Sequence, residues 1–172
     1  KNLKDIKVDV ITIFFSIHFI FNNQVKVNNL MNNIKQLLKP NGYCLITTFD
    51  GKKVFESLNQ SVNKNDDNTT FLEELDEEGN IAYKIEMTKE YLDKIKQDKT
   101  FNDTQDSLNY PINVNYKTFG KQKEYLVNPQ YLINIARLYG LELITQDELY
   151  KDFDKNMFLN ASDTFDNLSK NM

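Results

Sequence analysis

Residues 8–15, Val8-Asp9-Val10-Ile11-Thr12-Ile13-Phe14-Phe15, form a run that is apolar at odd and even positions alike. A strand of that kind needs cover on both faces, which a parallel sheet flanked by helices supplies and a half-solvated antiparallel sheet does not. Residues 24–38 follow with apolar side chains at Val27, Leu30, Met31, Ile34, Leu37 and Leu38, the spacing of one helical face. Lys39-Pro40-Asn41-Gly42 ends that helix in a turn, and Tyr43-Cys44-Leu45-Ile46-Thr47-Thr48 reads as a second buried strand. The expectation is an α/β fold built on a strand–helix–strand unit with a right-handed crossover.

The rest of the chain is less regular. A short helix is expected at 52–58, after Asp50-Gly51, and a polar Asn/Asp-rich loop at 60–70. Segments 81–87 and 112–118 have strand character and pair antiparallel as a flap near His18; the charged stretch between them is expected outside the core. Residues 129–139 read as a helix with Pro129 in its first turn and Gly140 as its stop, followed by a strand from 141 to 144 in the same sheet as the first two. These elements make one domain over 1–153, with 154–172 a frayed tail. Because the most apolar strand comes first and has few candidate neighbours on its other side, the chain reads as a fragment whose missing strands lie upstream.

Composition narrows the chemistry. The 172 residues hold one cysteine, Cys44, and one histidine, His18, which excludes an internal disulfide, a cysteine-rich zinc site and a multi-histidine metal centre. No metal is expected. The net charge is −4 and Arg137 is the sole arginine, so neither a broad basic face for duplex nucleic acid nor bidentate arginine clamps on phosphate are available. No apolar run is long enough to span a bilayer and no export signal opens the chain, which points to an intracellular, reducing compartment and no membrane partner.

Two residues stand out as candidates. His18 lies among Phe14, Phe15, Phe19 and Phe21, directly after the first strand; from local sequence it is either a core histidine satisfied by a backbone carbonyl or a polar tip in an aromatic slot. The carboxyl ends of parallel strands are where doubly wound sheets place ligands. Glu124, between Lys123 and Tyr125, is by itself an ordinary solvated carboxylate. Cys44 reads as a small buried hydrophobe and the acidic run 73–78 as a solvated surface.

Lys39-Pro40-Asn41-Gly42-Tyr43 resembles the L-K-P-G-G entry to the fifth strand of Rossmann-type S-adenosylmethionine-dependent methyltransferases, with Asn41 in a glycine position that asparagine tolerates. Three ordered segments sharpen the likeness. Val8-Asp9-Val10-Ile11 with Phe15-Ser16-Ile17-His18-Phe19-Ile20-Phe21 resembles the F-D-V-I-S…Q-F-A-I-H-Y-x-F motif of mRNA cap guanine-N7 methyltransferases. Gly42-Tyr43 with Thr47-Thr48-Phe49-Asp50-Gly51 is similar to their G-G-Y-F-I-G-T-T-P-D-G. Phe119-Gly120 with Glu124-Tyr125-Leu126-Val127 and Tyr139-Gly140-Leu141-Glu142-Leu143 is similar to their I-G…E-Y-L-V…Y-G-L-E-L, in the form most like large DNA viruses.

The resemblance implies the later part of a Rossmann-like class I methyltransferase domain plus an antiparallel flap. It also implies S-adenosylmethionine as methyl donor and the capped 5′ end of mRNA as substrate. His18, Phe15, Phe19, Glu124 and Tyr125 would meet the cap guanine, and Phe14, Phe15 and Phe19 the cofactor; no residue acts as acid or base. Phe14, Phe19 and Phe49 replace the family's Gln, Tyr and Pro, and the glycine-rich cofactor motif is not present. Implied partners are upstream triphosphatase and guanylyltransferase domains and a small stimulatory subunit; the location would be the nucleus or, for a virus, host cytoplasm or virion. Alternatives are a non-catalytic, methyltransferase-like stimulatory subunit, which would not need His18 and Glu124, and a small-molecule methyltransferase, which would not need the Glu-Tyr-Leu-Val segment.

Overall fold

The computed structural model describes residues 6–62, 71–97, 100–117, 120–144 and 148. Strand β1 (Val8–Phe14) is followed by helix α1 (Gln24–Leu37), which Asn23 caps by accepting a hydrogen bond from the Val25 N–H. The helix stops where it must: Lys39 precedes Pro40 and is disfavoured in helical geometry, and Leu38 is already extended. Strand β2 (Leu38–Thr47) then runs parallel to β1, with Ile11 opposite Cys44 and Ile13 opposite Ile46. The turn expected at 39–42 lies inside β2, as a slip in register between Val8 and Val10. Asn41 supplies its left-handed residue at φ 62°, and at Gly42 a Cβ would approach the Asp9 carbonyl oxygen to 2.8 Å.

Cover on both faces of β1 is not what the described residues show. Ile11, Ile13, Cys44 and Ile46 pack against a core of Ile17, Phe21, Val27, Met31 and Ile34, joined by Tyr131 and Ile135 of helix α4 (Pro129–Leu138). Both helices serve that one face, while Val10 and Phe14 on the other remain exposed. Helix α4 matches expectation, with Asn128 as its cap and Gly140 at φ 83° just beyond its end. Residues 141–144 form no strand, correcting that expectation; among the described residues no strand edge pairs with them, and extended backbone without a partner makes no ladder. The compact unit to which all these elements belong ends at Leu141, and 154–172 lie outside the described residues.

The second sheet is antiparallel and four-stranded, in the order β3 (Phe71–Leu75), β4 (Ile81–Met87), β5 (Pro111–Tyr116), β6 (Gly120–Tyr125). The β4–β5 pairing is the expected one; β3 falls within a stretch that acidic composition had concealed. Helices α2 (Gly51–Val62) and α3 (Lys89–Gln97) complete its core with Phe55, Leu58 and Tyr91 against Tyr110, Ile112 and Val114. α2 runs past the expected 58 into the segment read as loop, of which 63–70 lie outside the described residues. The charged stretch between β4 and β5 is not outside the core: Tyr91 and Tyr110 are both fully buried. Lys89, Glu90, Asp93 and Lys96 occupy the outer face of an amphipathic helix, so net charge hid its apolar side. Thr88 seats that helix, accepting from the Tyr91 N–H and donating to the Pro111 carbonyl at 2.8 Å.

The two cores meet at Leu126-Val127-Asn128. Leu126 is buried in the second core and Val127 in the first, the opposite facing of successive extended residues. Asn128, fully buried, caps α4 and donates to the carbonyls of Phe101 and Asn102. Gly51, at the start of α2, donates its N–H to the Val127 carbonyl at 3.0 Å, an approach so close that a Cβ at Gly51 would overlap the Val127 backbone. Gly51→Ala should therefore destabilise the protein by about 1–3 kcal/mol, the usual cost of overpacking. A lower urea midpoint with an unchanged m-value would register it, and an unshifted midpoint would refute the tight joint.

Candidate functional site

Phe15 follows directly after β1, and its N–H donates to the Thr47 carbonyl at 2.9 Å. Phe15 then takes φ 44°, a left-handed conformation that costs a bulky residue about 1–2 kcal/mol. The chain enters a 3-10 turn (Ile17–Phe19) that buries Ile17 in the first core and aims the buried His18 toward the second sheet. Glu124 arrives from β6, paired across the ladder with Ile112; strand alternation leaves Lys123 exposed and turns Glu124 inward. Its exposure is 2%, which is rare for a carboxyl that has no lysine or arginine partner among the described residues.

His18 and Glu124 meet. Nε2 of His18 lies 3.5 Å from Oε2 of Glu124, and the Nδ1 of His18 is buried with no hydrogen-bond partner among the described residues. The core-histidine reading, in which a backbone carbonyl satisfies the ring, does not hold here. Burial pushes the His18 imidazole below its ordinary value and the Glu124 carboxyl above its own, opposed for Glu124 by a hydrogen bond from the Tyr116 hydroxyl. Both shifts favour the neutral forms, so burial works against an ion pair between the two groups. A cavity of only about 10 Å³ adjoins the pair, walled by Thr48, Phe49, Val54, Ile85, Ile112 and Tyr125 among others.

Of the expected site residues, His18, Glu124 and Tyr125 share this cavity. Phe19 packs edge-on to His18, ring centroids 4.3 Å apart, and Phe15 lies 5.6 Å from Phe49. Phe14, Phe15 and Phe19 do not line the cavity; they stand 59%, 52% and 44% exposed at the carboxyl end of β1. Three aromatic faces open to solvent beside a buried polar pair suit a planar or cationic ligand. Sequence reasoning missed Tyr116 as a site residue and gave Phe49 no role. Tyr116 is visible only once strand register is known, whereas Phe49 stood in a motif already singled out. Among the described residues no cluster of ligating side chains could hold a metal, and no helix is long and apolar enough to cross a membrane. The acidic run is a hairpin: Asp76 accepts from the N–H groups of Glu78 and Asn80. Burial pushes the Cys44 thiol up, away from thiolate.

The Glu124 shift has a consequence for stability. A carboxyl whose folded-state value is raised binds protons more tightly when folded, so its ionisation costs stability above that value and costs nothing below about pH 4.3, where the unfolded group is also protonated. Glu124→Gln should raise the thermal midpoint at pH 7–8, and the gain should fade on acidification toward about pH 4. A midpoint lowered at neutral pH would show that the carboxylate is well solvated by its partners.

Comparison with known proteins identifies the family. Residues 1–172 match the family described as the mRNA (guanine-N(7))-methyltransferase domain. The chain is also 33% identical over 161 residues to a probable mRNA-capping enzyme of Acanthamoeba polyphaga mimivirus, a match that covers 92% of this chain and 13% of that relative. The chain thus spans a small part of the relative's length. The buried His18–Glu124 pair lies on two of the segments that carry the likeness, and the chain belongs to the mRNA (guanine-N(7))-methyltransferase domain family.

Proposed function

We propose that this chain forms the cap-guanine side of a Rossmann-like class I methyltransferase that transfers a methyl group from S-adenosylmethionine to N7 of the mRNA cap guanine. The motifs that carry the likeness span 8–143, all within the domain expected over 1–153. The single observation that carries the reading is the His18–Glu124 pair, buried and 3.5 Å apart although the two residues are remote in sequence.

Guanine N7 has a free lone pair in the plane of the ring, so its methylation needs no general base. What the reaction needs is alignment of N7 with the methyl carbon, which can contribute about 7–11 kcal/mol, and stabilisation of the positive charge that builds on the purine. Glu124 accepts hydrogen bonds from the guanine N1–H and N2 amino groups, which become more acidic as that charge develops. The attraction therefore strengthens toward the transition state. His18, with its Nε2 proton, donates to O6 or the cap ribose, and Phe19 holds the imidazole from its edge. The guanine edge takes the place of the direct His18–Glu124 contact, since the cavity beside the pair has room for about one water.

The exposed rings of Phe14, Phe15 and Phe19 fit part of a methyl donor, because aromatic faces attract a sulfonium cation and stack on adenine. S-adenosylmethionine, when bound, supplies the electrophilic methyl group. The described residues offer these apolar faces; the polar contacts to the donor's methionine and ribose would come from elsewhere in the protein, with capped RNA as the second substrate. Triphosphatase and guanylyltransferase activities in the same protein, and a stimulatory subunit, are the partners this reading entails. A non-catalytic subunit is the poorer account, because it gains nothing from a buried carboxylate whose ionisation opposes folding.

The decisive substitution is Glu124→Gln in the full-length protein. It keeps the shape but turns one acceptor into a donor facing the guanine donors, removing a charge-assisted hydrogen bond of about 1.5–3 kcal/mol. Methylation of capped RNA should slow by about 10- to 150-fold with S-adenosylmethionine affinity little changed. Phe19→Tyr, which restores the family residue, should be tolerated. Parental activity in the Gln variant would remove Glu124 from the cap site.

A further inference from the structure

We infer that Tyr116 is a positioning residue for Glu124, its hydroxyl orienting the carboxylate and keeping it ionised for the guanine edge. The inference rests on the cap role proposed for Glu124 and assigns a function to a residue outside the motifs. In the β5–β6 ladder Ile112 lies opposite Glu124, Val114 opposite Gln122 and Tyr116 opposite Gly120. Residues 112, 114 and 116 therefore share one face with 120, 122 and 124. Gly120 places no side chain across from Tyr116, and the Tyr116 hydroxyl donates a hydrogen bond to the Glu124 carboxylate.

The surroundings of Glu124 explain why that bond matters. The titratable groups around it among the described residues are His18, from the 3-10 turn after β1, Tyr116, from β5, and Tyr125, which walls the same cavity; apart from Thr48 the rest of that wall, including Val54, Ile85 and Ile112, is apolar. Burial pushes the carboxyl toward its neutral form, and a neutral His18 does not counter it with charge. A protonated Glu124 would present one donor where guanine N1–H and the N2 amino group also present donors. The Tyr116 hydroxyl opposes that outcome. Its own ionisation is pushed well upward by burial and by the adjacent carboxylate, so it remains an O–H donor over the whole working range. A carboxylate has about four lone-pair sites, so one bond to Tyr116 leaves acceptors for the base.

Tyr116→Phe keeps the ring in the second core and removes only the hydroxyl. In the full-length protein, the acid limb of kcat/KM for capped RNA should move to higher pH. On the acid side of the profile activity should fall about tenfold, as for one lost hydrogen bond to a charged group, and recover as pH rises. The kcat/KM for S-adenosylmethionine should stay near parental, while the thermal midpoint should fall at neutral pH, where the carboxylate has lost a partner, and return to parental toward about pH 4. In a Glu124→Gln background the same change should cost nothing more, because Gln does not titrate. An equal loss at every pH, or an undiminished loss in the Gln background, would overturn the inference and leave Tyr116 a packing residue. A carbon-13 titration of the Glu124 carboxyl separates this inference from the cap reading. An upward shift in Tyr116→Phe supports the Tyr116–Glu124 link even if Glu124→Gln proves active, and an unmoved titration refutes the link whatever the activity.

Discussion

One short stretch of extended chain holds the molecule's two halves in register. Leu126 and Val127 point into different cores because successive residues of extended backbone must face opposite ways, and Asn128 stitches the result to α4 and to the 101–102 backbone. The Gly51 N–H bond to Val127 adds the start of α2 to the same point. Since Glu124 is two residues before this joint, its side chain is delivered to a predetermined place. Ile17, locked in the first core, does the same for His18 from the other side.

The pair produced in this way is poor in stabilising terms. A buried carboxyl beside a buried imidazole loses hydration that the 3.5 Å contact does not return, and the His18 Nδ1 has no hydrogen-bond partner among the described residues. Phe15, at φ 44°, contributes backbone strain within three residues of His18. Strain and unsatisfied polar atoms concentrated in one place mark sites kept for binding. The apolar walls of Ile85, Ile112 and Val54 that make the carboxylate costly also make its hydrogen bonds strong once a base with matching donors replaces the histidine contact.

Helical elements were the most legible. The 3.6-residue spacing of Val27, Met31 and Ile34, the Pro129 entry and the Gly140 exit are local signals, and α1 and α4 follow them to within a residue. Expectations failed where a partner decides. The apolar positions of β1 promised two covered faces, but both packed helices lie on one. Residues 141–144 looked like a strand, but a strand exists only opposite another. α3 was hidden because net charge was weighed without the period that sorts Tyr91 from Lys89 and Glu90.

The site divides in the same way. From sequence alone came the residue types, the order of three motifs and hence the family, because those depend on identity and spacing along the chain. His18 and Glu124 could be nominated as a pair only through that resemblance, since 105 intervening residues carry no local signal of contact. Tertiary structure decided that they touch, that both are buried, and that Tyr116 joins them, because burial and desolvation are properties of what surrounds a group in space. No periodicity along the chain encodes the β5–β6 register that turns Tyr116 and Glu124 to one face; it emerges only when the strands pair.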